Sequence, residues 1–271
     1  MKYTLAIAGK SRTGSTTLWN ALKQHPEICT SKYKENLFAL LGEFSEGRRY
    51  DSFDKFPYFK YYQPEKFMDM FQTNENTKIL FDGSKLALVL QDKKYRELYL
   101  DMLDKNKQYI SSVKCIYALR DPWECVTSLY KMFARVRAVD PITPGYFYDA
   151  NGKISKEFAL NFIERHIQEY DFINDIIEFC GRENVLFIHT STLYKCVPDI
   201  LSFLDIAHMN LKVGHYNKNF IHRVNGKQLR QYFDALDVYK KVVDENKDRL
   251  QNVINKNTDK LKEMGITYDT N

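Results

Sequence analysis

The chain has 271 residues, 44% of them hydrophobic and 28% charged, a globular balance that excludes whole-chain disorder, collagen and coiled-coil arrays. Forty basic against 35 acidic residues leave a net charge of +5, which suits an anionic ligand and falls short of the basic stripe of a nucleic-acid binder. No apolar run nears the roughly 18 residues of a membrane span, the stretch at 1–8 is too short for a secretion signal, and five scattered cysteines without a CxxC argue for a reducing, cytoplasmic setting rather than disulfides or zinc.

Tyr3, Leu5 and Ile7 alternate and predict a short strand over 3–8. A polar turn rich in glycine, serine and threonine follows at 9–15. A helix is expected over 16–25, with Leu18 and Leu22 on one face and Pro26 ending it. The stretch 31–76 is irregular and aromatic, its insert near 43–76 carrying Tyr50, Phe53, Phe56, Tyr58 and Phe59. It reads as loops and short helices over the mouth of a site, or as a satellite apolar cluster. A second strand is predicted at 78–81 and a helix within 89–103. VKCIYAL at 113–119 reads as a strand buried on both faces.

The next helix starts near Pro122, and 138–153 is a loop. One long helix is predicted over 156–180, a strand over 184–189 and a short helix from 200. Residues 208–227 read as irregular and basic. A long C-terminal helix near 234–264 closes the chain. Strands alternating with helices predict an α/β fold, a mostly parallel central sheet flanked by helices. With no linker or repeat in view, the chain is read as a single domain over 1–271.

Two segments carry the chemistry. The first is GKSRTGSTTLW at 9–19. Gly9 and Gly14 have the separation of the nucleotide triphosphate loop, but Ser15 stands where that loop has lysine. Gly14 allows close backbone approach. The N–H groups of 13–16 converge at a helix start, Thr13, Ser15 and Thr16 add hydroxyl donors, and Lys10 and Arg12 supply cations. The bland alternative is a strand–helix turn capped by Ser or Thr.

The second segment is YALRDPWECVTSLY at 117–130. Arg120 stands at the carboxyl end of a sheet strand, where open α/β sheets bind ligands. Ser128 is eight residues on, two turns into the next helix. Arg120 could instead pair with Asp121 or another carboxylate at the helix start, and Ser128 could be a buried helical hydroxyl. Two anion sites at strand ends point to a ligand with phosphate at each end.

RTGSTTLWNALKQHPEI at 12–28, LRDPWECVTS at 119–128 and NVLFIHTSTLYKCVPDILSFLDI at 184–206 together resemble sulfotransferases that use 3′-phosphoadenosine 5′-phosphosulfate. The style is closest to glycan, bacterial and tyrosyl-protein members. KENLF, with Lys34, Glu35 and Phe38, is similar to an acidic segment of glycan and bacterial members. The resemblance implies the P-loop-like sulfotransferase fold and transfer of a sulfuryl group to a hydroxyl of an acceptor, which is a glycan, a small molecule or a tyrosine. Adenosine 3′,5′-bisphosphate would be the product, with no metal required.

It also implies roles. Arg12 would meet the bridging and sulfuryl oxygens, Thr13, Gly14, Ser15 and Thr16 the 5′-phosphate, and Arg120 and Ser128 the 3′-phosphate. Glu35 would be the base and His189 the alternative. Arg223 and Lys227 are the nearest basic candidates for a C-terminal cofactor loop. Where many relatives carry Glu-Lys-[S/T]-Pro, this chain has Asp82-Gly83-Ser84-Lys85, and Lys85 or Lys10 would replace the second active-site lysine.

Two rival classes remain. A P-loop nucleotide or small-molecule kinase would need the missing lysine after Gly14 and a magnesium carboxylate, for which Asp82 is the nearest candidate. A non-catalytic nucleotide-binding module would leave Glu35, Arg12 and Arg120 without a shared cleft. The other histidines have plainer readings: His25 as a helix-end residue, His166 as a core residue, and His208, His215 and His222 as too dispersed for a metal.

Overall fold

A computed structural model describes residues 2–10, 13–31, 64–91, 93–139, 155–214 and 225–268. The chain groups into two compact units. The first comprises Met1–Leu119 and Phe172–Tyr216, the second Arg120–Asp171 and Asn217–Asn271.

The first unit is built on a parallel sheet. Among the described residues its strands are β1 (Tyr3–Ala8), β2 (Ile28–Thr30), β3 (Ile79–Lys85), β4 (Ile110–Leu119) and β5 (Val185–His189), in the order β2-β3-β1-β4-β5. All the pairings are parallel, and β1 runs down the middle, with Leu5 opposite Leu80 on one side and Val113 on the other. Leu5, Ala6 and Ile7 are fully buried, as a central strand covered on both faces requires. On one face Ala6, Phe81, Ile116 and Ile188 pack with Leu18 and Leu22 of helix α1 (Ser15–Leu22) and with Ile200 and Leu201 further on. Helices α2 (Leu86–Leu90) and α3 (Lys93–Lys105) follow β3. Tyr99 of α3 is fully buried and stacks on Phe179, ring centroids 5.4 Å apart.

The second unit is helical. It contains α4 (Pro122–Val139) and α5 (Lys156–Ile167). The boundary between the units then falls inside α6 (Glu169–Cys180), and α7 (Val197–Phe203) belongs to the first unit. The second unit resumes with α8 (Gly226–Glu245) and α9 (Lys247–Glu263). Its core joins Leu129 and Phe133 to Ile163, Tyr239 and Leu250. Phe133 meets Phe162 edge-on and Tyr239 at a tilt, each with centroids 5.3 Å apart. The chain after α9 is tied down by polar groups. Tyr268 Oη donates to Glu169 Oε2 at 2.8 Å, and Asn257 Nδ2 donates to Tyr268 Oη at 2.9 Å. Burial and the Glu169 carboxylate push the Tyr268 phenol well above its ordinary range.

The α/β class with a parallel sheet is as expected. Several boundaries differ from expectation. The strand foreseen at 78–81 continues to Lys85, because the Asp82 carboxylate covers the Ser84 N–H and hydroxyl at 2.9 and 2.7 Å and lets that polar run stay buried. β2 was not foreseen, since three residues carry no usable alternation. The long helix foreseen at 156–180 breaks at Gln168 (ψ 69°) and the C-terminal one at Asn246 (φ −117°, ψ 20°). The C-terminal pair begins earlier than expected, at Gly226, where Asn225 and Gln228 form a capping box. Of the aromatic insert, the described part holds a 3₁₀ turn, Pro64–Met70, with Phe67 and Phe71 buried edge-to-face at 5.2 Å. The rest of the insert and the loop over 140–154 lie outside the described residues. No helix among the described residues is long and apolar enough to cross a membrane.

Candidate anion-binding site at the carboxyl edge of the sheet

The strand order locates the crevice. β1 hands the chain towards β2 on one side, while β4 hands it towards β5 on the other. Ligands of open α/β sheets bind outside the carboxyl ends of strands at such a reversal. The chain leaves β1 there through the Gly9–Gly14 turn, and leaves β4 there into Arg120.

The turn after β1 is held by backbone and hydroxyl bonds. Gly9 N–H donates to Ile116 O at 3.0 Å, and Gly9 O accepts from Ala87 N at 2.9 Å. A Cβ on Gly9 would stand 2.3 Å from Tyr117 Cδ2, so only glycine fits. Thr190 Oγ1 lies 3.1 Å from Thr13 O and 2.9 Å from Leu119 O. Its single proton serves both carbonyls and ties the turn after β1 to the end of β4. Gly14 is in the left-handed region (φ 88°, ψ 10°) and starts α1 without a side-chain cap. The first intrahelical bond runs from Leu18 N to Gly14 O at 2.9 Å. The first-turn N–H groups therefore have no partner within the helix, and no acidic residue occupies that turn. A Cβ at Gly14 would approach nothing closer than 3.6 Å, so its absence keeps the backbone open to a ligand. These features fit a phosphate group.

Thr13 departs from its expected role as a hydroxyl donor to the anion. Its hydroxyl is buried and donates to Lys10 O at 3.0 Å. Ser15 is buried and Thr16 half-buried at the start of α1. Lys10 is 2% exposed, with Nζ 5.4 Å over the Phe172 ring.

Arg120 follows β4 directly and stands at the start of α4. Its Nε donates to Glu124 Oε2 at 3.2 Å, the helix-start pairing weighed as its alternative. Asp121 caps the helix, accepting from Glu124 N at 2.9 Å. Glu124 and Ser128 are four residues apart and share one stripe of α4. Arg120 therefore pairs with a residue on the helical stripe that also carries Ser128. An i,i+4 pair on a helix surface contributes only about 0.3–0.5 kcal/mol.

His189 ends β5 opposite Leu119 of β4 and is half-buried at the same carboxyl edge. Lys227 is exposed in the first turn of α8. Arg12, Glu35 and Arg223 lie outside the described residues, as do His215 and His222. The side chain of Lys85 is also outside them. Asp82 is 1% exposed and its Oδ1 accepts both Ser84 bonds. His25 is not a helix cap. It is a buried cross-link, Nε2 donating to Ala207 O at 2.8 Å and Nδ1 accepting from Glu27 N at 3.1 Å. Sequence reading missed two residues of the site, Thr190 and Tyr117. The run His189-Thr190-Ser191-Thr192 after a strand was the available signal for Thr190.

No family model matches the chain, and no curated protein matches it in sequence. Solved structures do match its fold. A sulfotransferase from Alicyclobacillus acidocaldarius superposes with a TM-score of 0.53 at 16% identity, over 94% of this chain and 96% of that one. The sulfotransferase domain from the curacin biosynthetic pathway superposes with a TM-score of 0.50 at 14% identity, over 86% of this chain and 78% of that one. The chain has the sulfotransferase fold, a parallel sheet flanked by helices.

Proposed function

We propose that the protein is a sulfotransferase that moves a sulfuryl group from 3′-phosphoadenosine 5′-phosphosulfate to a hydroxyl of its acceptor. One observation carries the reading: α1 starts at the carboxyl end of the central strand without a side-chain cap, behind a left-handed glycine. A fold shared with sulfotransferases supports it.

The N–H groups of Thr13, Gly14, Ser15 and Thr16 hold the 5′-phosphate, and the first-turn dipole offsets its charge. Arg12 adds the cation that neutralises the leaving oxygen. Arg120 exchanges Glu124 for the 3′-phosphate, with Ser128 donating beside it. When bound, the donor supplies an activated sulfuryl group on a stable leaving phosphate. Glu35 accepts the acceptor's proton, with His189 as the alternative base at the sheet edge. Positioning and charge neutralisation then do most of the catalysis.

Titration calorimetry tests the reading. The expected result is binding of adenosine 3′,5′-bisphosphate without metal, weakened at least about tenfold by Arg120→Ala, which is about 1.4 kcal/mol. Preference for magnesium-ATP, or no heat with the bisphosphate, would overturn it.

A further inference from the structure

Within the second unit, a cavity of about 310 Å³ opens where α4, α8 and the start of α9 meet. Small-ligand sites run from roughly 300 to 1,000 Å³. α4 contributes Trp123, Val126, Thr127 and Tyr130. Their spacing, i, i+3, i+4 and i+7, is one continuous helical stripe. Val243 of α8, nearly fully buried, completes the apolar lining. The indole is already fixed, because Trp123 Nε1 donates to Gln251 Oε1 at 3.0 Å. Its polar atom asks nothing of a ligand, and the ring offers apolar surface.

The rim is charged. Lys240 and Lys247 are exposed and line the cavity, and neither forms a salt bridge among the described residues. The neighbouring Lys241, by contrast, is paired with Glu245 at 3.7 Å. Among the described residues Asp244 is the one acid in the lining, outnumbered by the two lysines. Two aromatic rings in one lining with two lysines that form no salt bridge among the described residues suit a flat apolar body with an anionic substituent.

The cavity is distinct from the phosphate-binding face of α4. At 100° per residue, Ser128 lies about 150° around the helix from the centre of the Trp123–Tyr130 stripe. We propose that this cavity is a second binding site, selective for a planar aromatic anion.

The probe is 8-anilinonaphthalene-1-sulfonate, with uncharged N-phenyl-1-naphthylamine as its control. Trp19 and Trp123 are the two tryptophans, so the full-length Trp19→Phe variant leaves Trp123 as sole fluorescence donor. Saturable quenching of Trp123 by both probes is expected. The surface double variant Lys240→Gln/Lys247→Gln should weaken the sulfonate at least about tenfold and shift the uncharged probe by less than about twofold. Thr127→Phe, which fills the cavity, should abolish quenching by both, with circular dichroism confirming the fold. Quenching that does not saturate, or that survives Thr127→Phe, would overturn the site. Equal affinities of the double and parent proteins for the sulfonate, or equal losses for both probes, would overturn its selectivity for an anion.

Discussion

Gly9 and Gly14 flank the same turn and are needed for different reasons. Gly9 lacks room: a Cβ would lie 2.3 Å from Tyr117 Cδ2 and 3.1 Å from its Cα. Tyr117 is fully buried, so its ring has nowhere to retreat. Gly14 has room but a left-handed backbone, φ 88°. Gly9→Ala should cost about 1–3 kcal/mol through overpacking. Gly14→Ala should cost about 1–2 kcal/mol through backbone strain alone. Calorimetry separates the two causes when Tyr117→Ala is added. In the Tyr117→Ala background the added cost of Gly9→Ala should shrink, and that of Gly14→Ala should stay the same. A Gly9→Ala protein that melts with the parent would refute the steric account. The spacing of the two glycines was legible in sequence, because it matches a known phosphate turn. The reason for Gly9 was not, since Tyr117 is distant in the chain and reaches it only through pairing of β1 with β4.

Among the elements, the turn after β5 does more than connect. Thr190 holds two carbonyls, one from the turn after β1 and one from the last residue of β4. Thr190→Val keeps the shape and removes the only proton those carbonyls share through this side chain. A lost hydrogen bond of this kind costs about 0.5–1.5 kcal/mol. The affinity for adenosine 3′,5′-bisphosphate should fall by more than that global loss explains, because the first-turn N–H groups lose their support. Thr190→Ser, which keeps the hydroxyl, should restore affinity. If Val and Ser variants bind alike, the hydroxyl has no positioning role. At this scale, the positions of β1, β3, β4 and β5 were legible because buried parallel strands read as apolar runs, whereas three-residue β2 was not. Helix breaks were not. At Gln168 and Asn246 the apolar spacing continues on both sides, and neither glycine nor proline marks the change. The start of α8 was written in Asn225 and Gln228, but apolar spacing favoured a later start.

For the whole molecule, the open question is whether two cores unfold as one. The boundary at 171/172 falls within α6, a continuous helix. Its first residue, Glu169, is held by Tyr268, while Phe179 near its other end stacks on Tyr99. A second boundary, at 119/120, joins the end of β4 to α4 with only Arg120 and Asp121 between. If a helix that runs through the boundary and is anchored in each unit couples their opening, the two cores unfold together. We therefore expect the single cooperative domain that the sequence suggested. The cysteines can report it. Cys115 is fully buried on β4 in the first unit, and Cys125 is 1% exposed on α4 in the second. Burial pushes the Cys115 thiol well above its usual range and Cys180 up to about 12, so the reactive thiolates do not form in the folded core near pH 8. Pulsed alkylation across a denaturant series, read by mass spectrometry, should expose Cys115 and Cys125 at the same midpoint. If Cys125 reacts at a lower denaturant concentration than Cys115, the helical unit opens by itself, and α6 does not couple the two cores.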